Sequence, residues 1–255
     1  MAEEELLNYN RDIIVNINSR RIHLGQKFAL MKTPDIYKEY RKLSKIFLKL
    51  LLDKIDENKI LVADYGGGDA ALSKELIDMC SKRKIKIKVE NIDIEPIGPK
   101  PKNLFIVKND VLKYYAKNRY DYSVSRFLTH YFTYSQQLKF FKNVYRNLKP
   151  GGYFLLINWT IDDPKNYKIK RLILDSIEFY KGIKRPIIPS SSKLLKLCRQ
   201  AGFKIMTCKK YNYYLSLNDF YKNRFCLTKN QLKQIQEKIS VKSHKQYQVG
   251  ILLKK

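Results

Sequence analysis

Asp64-Tyr65-Gly66-Gly67-Gly68-Asp69-Ala70 is the stretch whose residue types and spacing carry the most chemistry. Glycines let a backbone approach a ligand closely, and a helix opening just after them offers free N–H groups. From the turn alone three readings stay open. It fits the tight strand-to-helix turn of any α/β protein. It fits a dinucleotide site, because Gly66-x-Gly68-x-x-Ala71 matches the loose pattern G-x-G-x-x-G/A with Asp93 about 20–30 residues on. It also fits a cation site, and Asp64 separates the alternatives. A carboxylate two residues before the first glycine repels a pyrophosphate and suits an ammonium or a sulfonium. Further along, Asp93, Asp110 and the run Ser125-Arg126-Phe127-Leu128-Thr129-His130-Tyr131 add carboxylates, a guanidinium and an imidazole.

The elements that must position these groups are legible in the periodicity. Ile36, Tyr40, Leu43, Phe47 and Leu51 step by three or four, opposite Lys38, Lys42, Lys45 and Lys49, which predicts an amphipathic helix. Ile60 to Asp64 predicts a buried strand running into the glycine turn, with a helix after it at Leu72, Leu76 and Met79. Strands are predicted at Ile85–Ile94, Leu104–Val107, Tyr120–Val124 and Tyr153–Trp159, with a helix through Leu138, Phe141, Tyr145 and Leu148 before Lys149-Pro150-Gly151-Gly152. This alternation predicts a doubly wound α/β fold with a largely parallel sheet. Beyond it, a helix from Ser190 stops at Gly202, Phe203–Cys208 and Tyr247–Leu253 read as strands, and Thr228 with Gln231 predicts a capping box. A single domain over 1–255 is expected: an N-terminal helical cap at 1–54, a core at 55–160, and lid segments at 161–189 and 212–243.

Taken together, the ordered segments resemble the class I S-adenosylmethionine-dependent methyltransferases. Asp64, Gly66 and Gly68 match the first motif, D/E-x-G-x-G-x-G, with Ala70 in place of the last glycine. Asn91-Ile92-Asp93-Ile94-Glu95-Pro96 resembles the second-strand signature, Asn109-Asp110-Val111 the third motif, and Leu148-Lys149-Pro150-Gly151-Gly152 the turn before the fifth strand. The resemblance covers about residues 55–160, and more weakly Ala201-Gly202-Phe203. It implies a Rossmann-like sheet with an antiparallel last strand and S-adenosylmethionine as cofactor, leaving S-adenosylhomocysteine as product. It also implies roles. Asp93 would accept from the ribose hydroxyls, Asp110 would take the adenine amino group, and the Val111 amide would face the ring. Gly67, Ile94, Asn109, Ser125 and Arg126 complete the implied cofactor set.

Methyl transfer is an in-line displacement, so the protein mainly positions its reactants and keeps water out. A base is needed where the acceptor arrives protonated, and His130, with an ordinary pKa of about 6.5, is the candidate. The bland alternative is that His130 only packs on the cofactor. Arg126 could hold a carboxylate or form a structural ion pair. Tyr37, Tyr40, Tyr131, Tyr134 and Arg224 are candidate acceptor contacts, against core packing or a solvated helix face. No prolines follow Ser125-Arg126 and no Pro-Cys nucleophile appears, which disfavours base methylation of those types.

Composition sets the outer limits. Among 255 residues, 51 Lys+Arg against 24 Asp+Glu give a net charge of +27, while 44% apolar and 13% aromatic content exclude a disordered polycation. The charge reads either as a polyanion signal or as compositional drift. The acidic N-terminus, the absence of a membrane-length apolar run and four scattered cysteines predict a cytoplasmic protein with no metal site. The expected acceptor is a small molecule or peptide, with an RNA-directed methyltransferase or an RNA-binding protein on the same scaffold as the alternative.

Overall fold

A computed structural model of the chain describes residues 34–96, 102–182, 186–225 and 227–255. Its strands are β1 (Lys59–Tyr65), β2 (Lys86–Asp93), β3 (Leu104–Lys108), β4 (Tyr120–Arg126), β5 (Leu148–Thr160), β6 (Lys204–Ser216) and β7 (Ser243–Lys254). They form one sheet in the order β3-β2-β1-β4-β5-β7-β6. Neighbours from β3 to β5 are parallel, and the last strand is antiparallel. The helices are α1 (Pro34–Leu52), α2 (Ala71–Lys82), α3 (Tyr134–Asn147), α4 (Pro164–Lys181), α5 (Ser191–Gln200), the short α6 (Lys222–Phe225) and α7 (Lys229–Ile239). The doubly wound α/β architecture expected from the sequence is the one observed.

Local chemistry sets the helix starts. Pro34 opens α1, where its missing N–H costs nothing. Thr133 caps α3 in a reciprocal box with Gln136, and Thr228 caps α7 in the same way with Gln231. The Asp163 side chain accepts from the Lys165 and Asn166 amides at the head of α4.

Three boundaries differ from the periodicity. β5 begins at Leu148, because Tyr120 pairs with Leu148 and Tyr122 with Tyr153, so the Lys149–Gly152 turn is a bulge inside the strand. Gly151 there has φ +80°, which glycine adopts freely. β6 continues eight residues past Cys208 to Ser216, and β7 starts at Ser243. Polar residues hide both extensions: Lys209-Lys210 interrupt the apolar alternation in β6, and His244 and Gln246 do so in β7.

The described chain clusters into two compact units. One comprises Lys42–Thr160, Ile187–Tyr211 and Gln248–Lys255. Its core is aromatic and aliphatic: Phe140, Phe141 and Val144 of α3, Phe154 and Leu156 of β5, Leu194 and Leu197 of α5, and Val249, Ile251 and Leu253 of β7. Of the described residues, the other comprises 34–41, 161–182, 186, 212–225 and 227–247. Within it α4 packs on α7, Lys170 is buried and hydrogen-bonded to Gln246, and Tyr221 meets His244 Nε2 at 2.6 Å. Burial, with the Lys170 charge, pushes the His244 imidazole down to about 3.

Candidate cofactor and acceptor site

β1 carries Asp64 into the glycine turn with its side chain buried. One carboxylate oxygen accepts from the Ser73 hydroxyl of α2 at 2.5 Å, and the other, Oδ1, has no hydrogen-bond partner among the described residues. Desolvation raises the Asp64 pKa to about 6, and the Ser73 hydrogen bond and the Arg126 charge hold it from rising further.

Asn91 stands opposite Asp64 in the β1–β2 register and is fully buried. Its Oδ1 likewise has no partner among the described residues. Both side chains crowd the underside of Gly67. A Cβ there would lie 2.4 Å from Asn91 Oδ1 and 2.8 Å from Asp64 Cγ.

The turn is held from several sides. Gly66 has φ +68°, and its amide donates to the Ile92 carbonyl at 2.8 Å. The Gly68 amide donates to Asp93 Oδ2 at 3.0 Å, while Asp93 Oδ1 accepts from the Glu95 amide at 2.9 Å. Asp93 is therefore fixed in orientation, with lone pairs left over. Ala70 sits at φ +59°, in the left-handed region. A non-glycine residue in that region bears a strain of about 1–2 kcal/mol.

On the β3 side, the Asn109 amide donates to the Asp93 carbonyl at 3.0 Å, and Asp110 Oδ1 accepts from the Leu112 amide at 2.9 Å. Val111 is buried, and Ile94 is 36% exposed, an apolar surface beside Asp93.

The end of β4 supplies the remaining groups. Ser125 is fully buried and donates to the Tyr65 carbonyl at 2.9 Å, so it braces β1 against β4. Arg126 donates to Ser44 of α1 at 3.0 Å. Phe127 has φ +56°, costly for a bulky residue, and is held by its amide on Ile157 O at 2.9 Å and by its ring 4.8 Å from Trp159. His130 is buried with its ring 5.0 Å from Trp159 and 4.1 Å from Tyr131.

Tyr134 is exposed at the head of α3 beneath the Lys193 ammonium, 4.8 Å from its ring. Tyr40 is buried edge-on to Tyr213 within its own unit, at 5.5 Å. The Tyr37 and Arg224 side chains lie outside the described residues.

Periodicity gave no role to Ser73, Asn91, Ser44 or Trp159. Only the strand register and the packing of α1 bring them in. A polar Asn within the buried run Val89–Asp93 was the signal for Asn91.

An orphaned buried carboxylate oxygen, a turn in which Gly67 admits no side chain, and a fixed second carboxylate one strand away suit a cationic, ribose-bearing ligand. A family model described as a methyltransferase domain matches residues 37–207. A 69-residue stretch is 39% identical to cycloartenol-C-24-methyltransferase 1 of Oryza sativa subsp. japonica, covering 26% of this chain and only 19% of that protein. The fold is similar to that of a methyltransferase from Bacillus halodurans C-125, with a TM-score of 0.66, 15% identity, and 82% and 97% of the two chains covered. It is similar also to geranyl diphosphate methyltransferase in complex with S-adenosylmethionine, with a TM-score of 0.57, 12% identity and 89% of each chain covered. At such identities the structural likeness is one of fold.

Proposed function

The chain belongs to the methyltransferase-domain family, an S-adenosylmethionine-dependent class of enzyme, and from that premise we propose that it methylates an oxygen or nitrogen of a small metabolite, natural product or modified peptide. The observation that carries the cofactor half of this reading is the buried Asp64 carboxylate, with one oxygen lacking a partner among the described residues beneath the glycine turn. When bound, S-adenosylmethionine supplies a methyl group on a sulfonium that a nucleophile displaces in line. Asp64 faces its cationic end and is stabilised as the anion by that charge. Asp93 accepts from the ribose hydroxyls, Asp110 from the adenine amino group, and Ile94 offers an apolar surface to the ring.

In this reading Arg126, anchored on Ser44, lends positive charge beside Asp64 and orients a carboxylate. His130, packed against the Tyr131 and Trp159 rings, takes the acceptor's proton as general base. Burial of these groups excludes water and strengthens every polar contact among them. Ser125 acts through the strands. A cytoplasmic location goes with this reading; among the described residues no helix is long and apolar enough to cross a membrane.

The test is incubation of metabolite and RNA pools with methyl-labelled S-adenosylmethionine, followed by mass spectrometry. Label in small molecules, lost in Asp93→Ala, is the expected result. The charge of +27 favours one second reading, an RNA acceptor. Label confined to RNA, with binding that weakens steeply as salt rises, replaces the first reading by the second.

A further inference from the structure

Gln248 lies within β7, fully buried, and neither its Nε2 nor its Oε1 has a hydrogen-bond partner among the described residues. A buried amide left this way is costly, and a leucine of similar size would serve packing better. Its neighbours say what the amide is for. β7 is next to β5 in the sheet, and the Lys255 amide donates to the Gly152 carbonyl at 3.0 Å. Counting back along the two antiparallel strands from that bond brings Gln248 level with the Trp159 end of β5.

Gly250, two residues on and so on the same face, has Phe47 of α1 pressed against it; a Cβ there would meet Phe47 Cδ1 at 2.0 Å. Ser44, one turn earlier on α1, takes the hydrogen bond of Arg126, and Arg126 pairs in register with Ile157, two residues before Trp159. Arg126, Trp159 and Gln248 thus share the α1 face of the sheet, at the edge where β4 and β5 end. The rings of Phe127 and His130 complete that stretch, 4.8 and 5.0 Å from Trp159.

We infer that the Gln248 amide recognises the methyl acceptor, taking an uncharged group that both donates and accepts hydrogen bonds, a hydroxyl or a carboxamide. The acceptor's planar or apolar body then lies along the Phe127 and Trp159 rings. An amide offers one acceptor oxygen and two donor hydrogens but no charge, so it matches such a group. An anion at this depth is drawn to Arg126 instead, and a cation beside Gln248 meets only a neutral dipole. The inference rests on the methyltransferase reading above and goes beyond it in naming a residue and a chemical class.

The test uses the full chain saturated with S-adenosylhomocysteine, with benzamide and benzyl alcohol as neutral probes and benzoate and benzylamine as charged ones, followed by calorimetry and NMR. The neutral probes bind wild type more tightly than the charged ones. They bind Gln248→Leu about tenfold more weakly, the loss of one hydrogen bond. S-adenosylhomocysteine affinity is unchanged in the variant, and its Tm equals or exceeds that of wild type. Gln248→Met, closer in shape, repeats the comparison. If both proteins bind S-adenosylhomocysteine and the neutral probes bind neither or both equally, Gln248 is not the recognition group. A lowered Tm in both variants gives the amide a structural role and overturns the inference too. If wild type fails to bind S-adenosylhomocysteine, the methyltransferase reading itself falls.

Discussion

Asp64→Asn removes one charge from beneath the glycine turn while keeping the side chain's shape and an acceptor for Ser73. The wild-type carboxyl titrates at about 6 in the folded chain against an ordinary 3.8. An acid whose folded pKa is raised holds its proton longer in the folded state, so wild-type stability declines as pH rises from about 4 through 6. Two pH units at about 1.4 kcal/mol each come to about 3 kcal/mol. Asparagine has no such titration. Urea denaturation should therefore find the two proteins about equally stable at pH 4 and the variant more stable by about 3 kcal/mol at pH 8.

The buried His244 opposes this trend. Held at about 3 instead of 6.5, it costs stability as pH falls below 6.5, but the contribution is common to both proteins and cancels in their difference. Cofactor binding runs the other way. An ammonium beside Asp64 favours the anion, so wild-type affinity for S-adenosylhomocysteine should rise about tenfold between pH 5 and pH 7, where the ionised fraction climbs from about one-tenth to nine-tenths. Calorimetry should find the variant weaker at pH 7 and without that rise. A variant less stable than wild type at pH 8, or one that keeps the tenfold rise, refutes the electrostatic argument.

Ser73→Ala removes the hydrogen bond that lowers the Asp64 pKa, so the midpoint of pH-dependent S-adenosylhomocysteine binding should move above 6. Gly67→Ala forces a methyl to within 2.4 Å of Asn91 Oδ1, and should cost about 1–3 kcal/mol in urea denaturation together with most of the cofactor affinity. Gly250→Ala drives a methyl into the Phe47 ring and should cost about 2 kcal/mol or more with cofactor affinity intact. Adding Phe47→Leu to it should restore over half the loss, and no recovery would mean that the clash lies elsewhere.

The sequence was most legible where local chemistry dictates structure. The strand-turn-helix at Asp64–Ala70, the cap at Thr228 and the α/β alternation depend on residues a few positions apart. Pairings across the sheet were not legible, because nothing local encodes register. Asn91 meets Asp64, and Arg126 aligns with Ile157, only once the strands are laid side by side. Gln248 was hidden for a further reason. His244, Gln246 and Gln248 alternate with Lys245, Tyr247 and Val249, which reads as a strand with a wet polar face, yet these three polar residues are buried. Tyr134 shows the opposite, an aromatic near the site in sequence that faces solvent.

The place of β7 in the sheet has a consequence for synthesis. It follows every other strand in the chain, yet lies between β5 and β6. While the chain is emerging from the ribosome, β1 to β4 can pair and shape the glycine turn, but β6 has no neighbour until β7 arrives. Its long, lysine-bearing edge keeps its backbone groups open during that interval, when charge is its main defence against pairing with another chain. The groups proposed to hold the methyl donor can thus assemble early, while Gln248 joins the sheet only with the final strand.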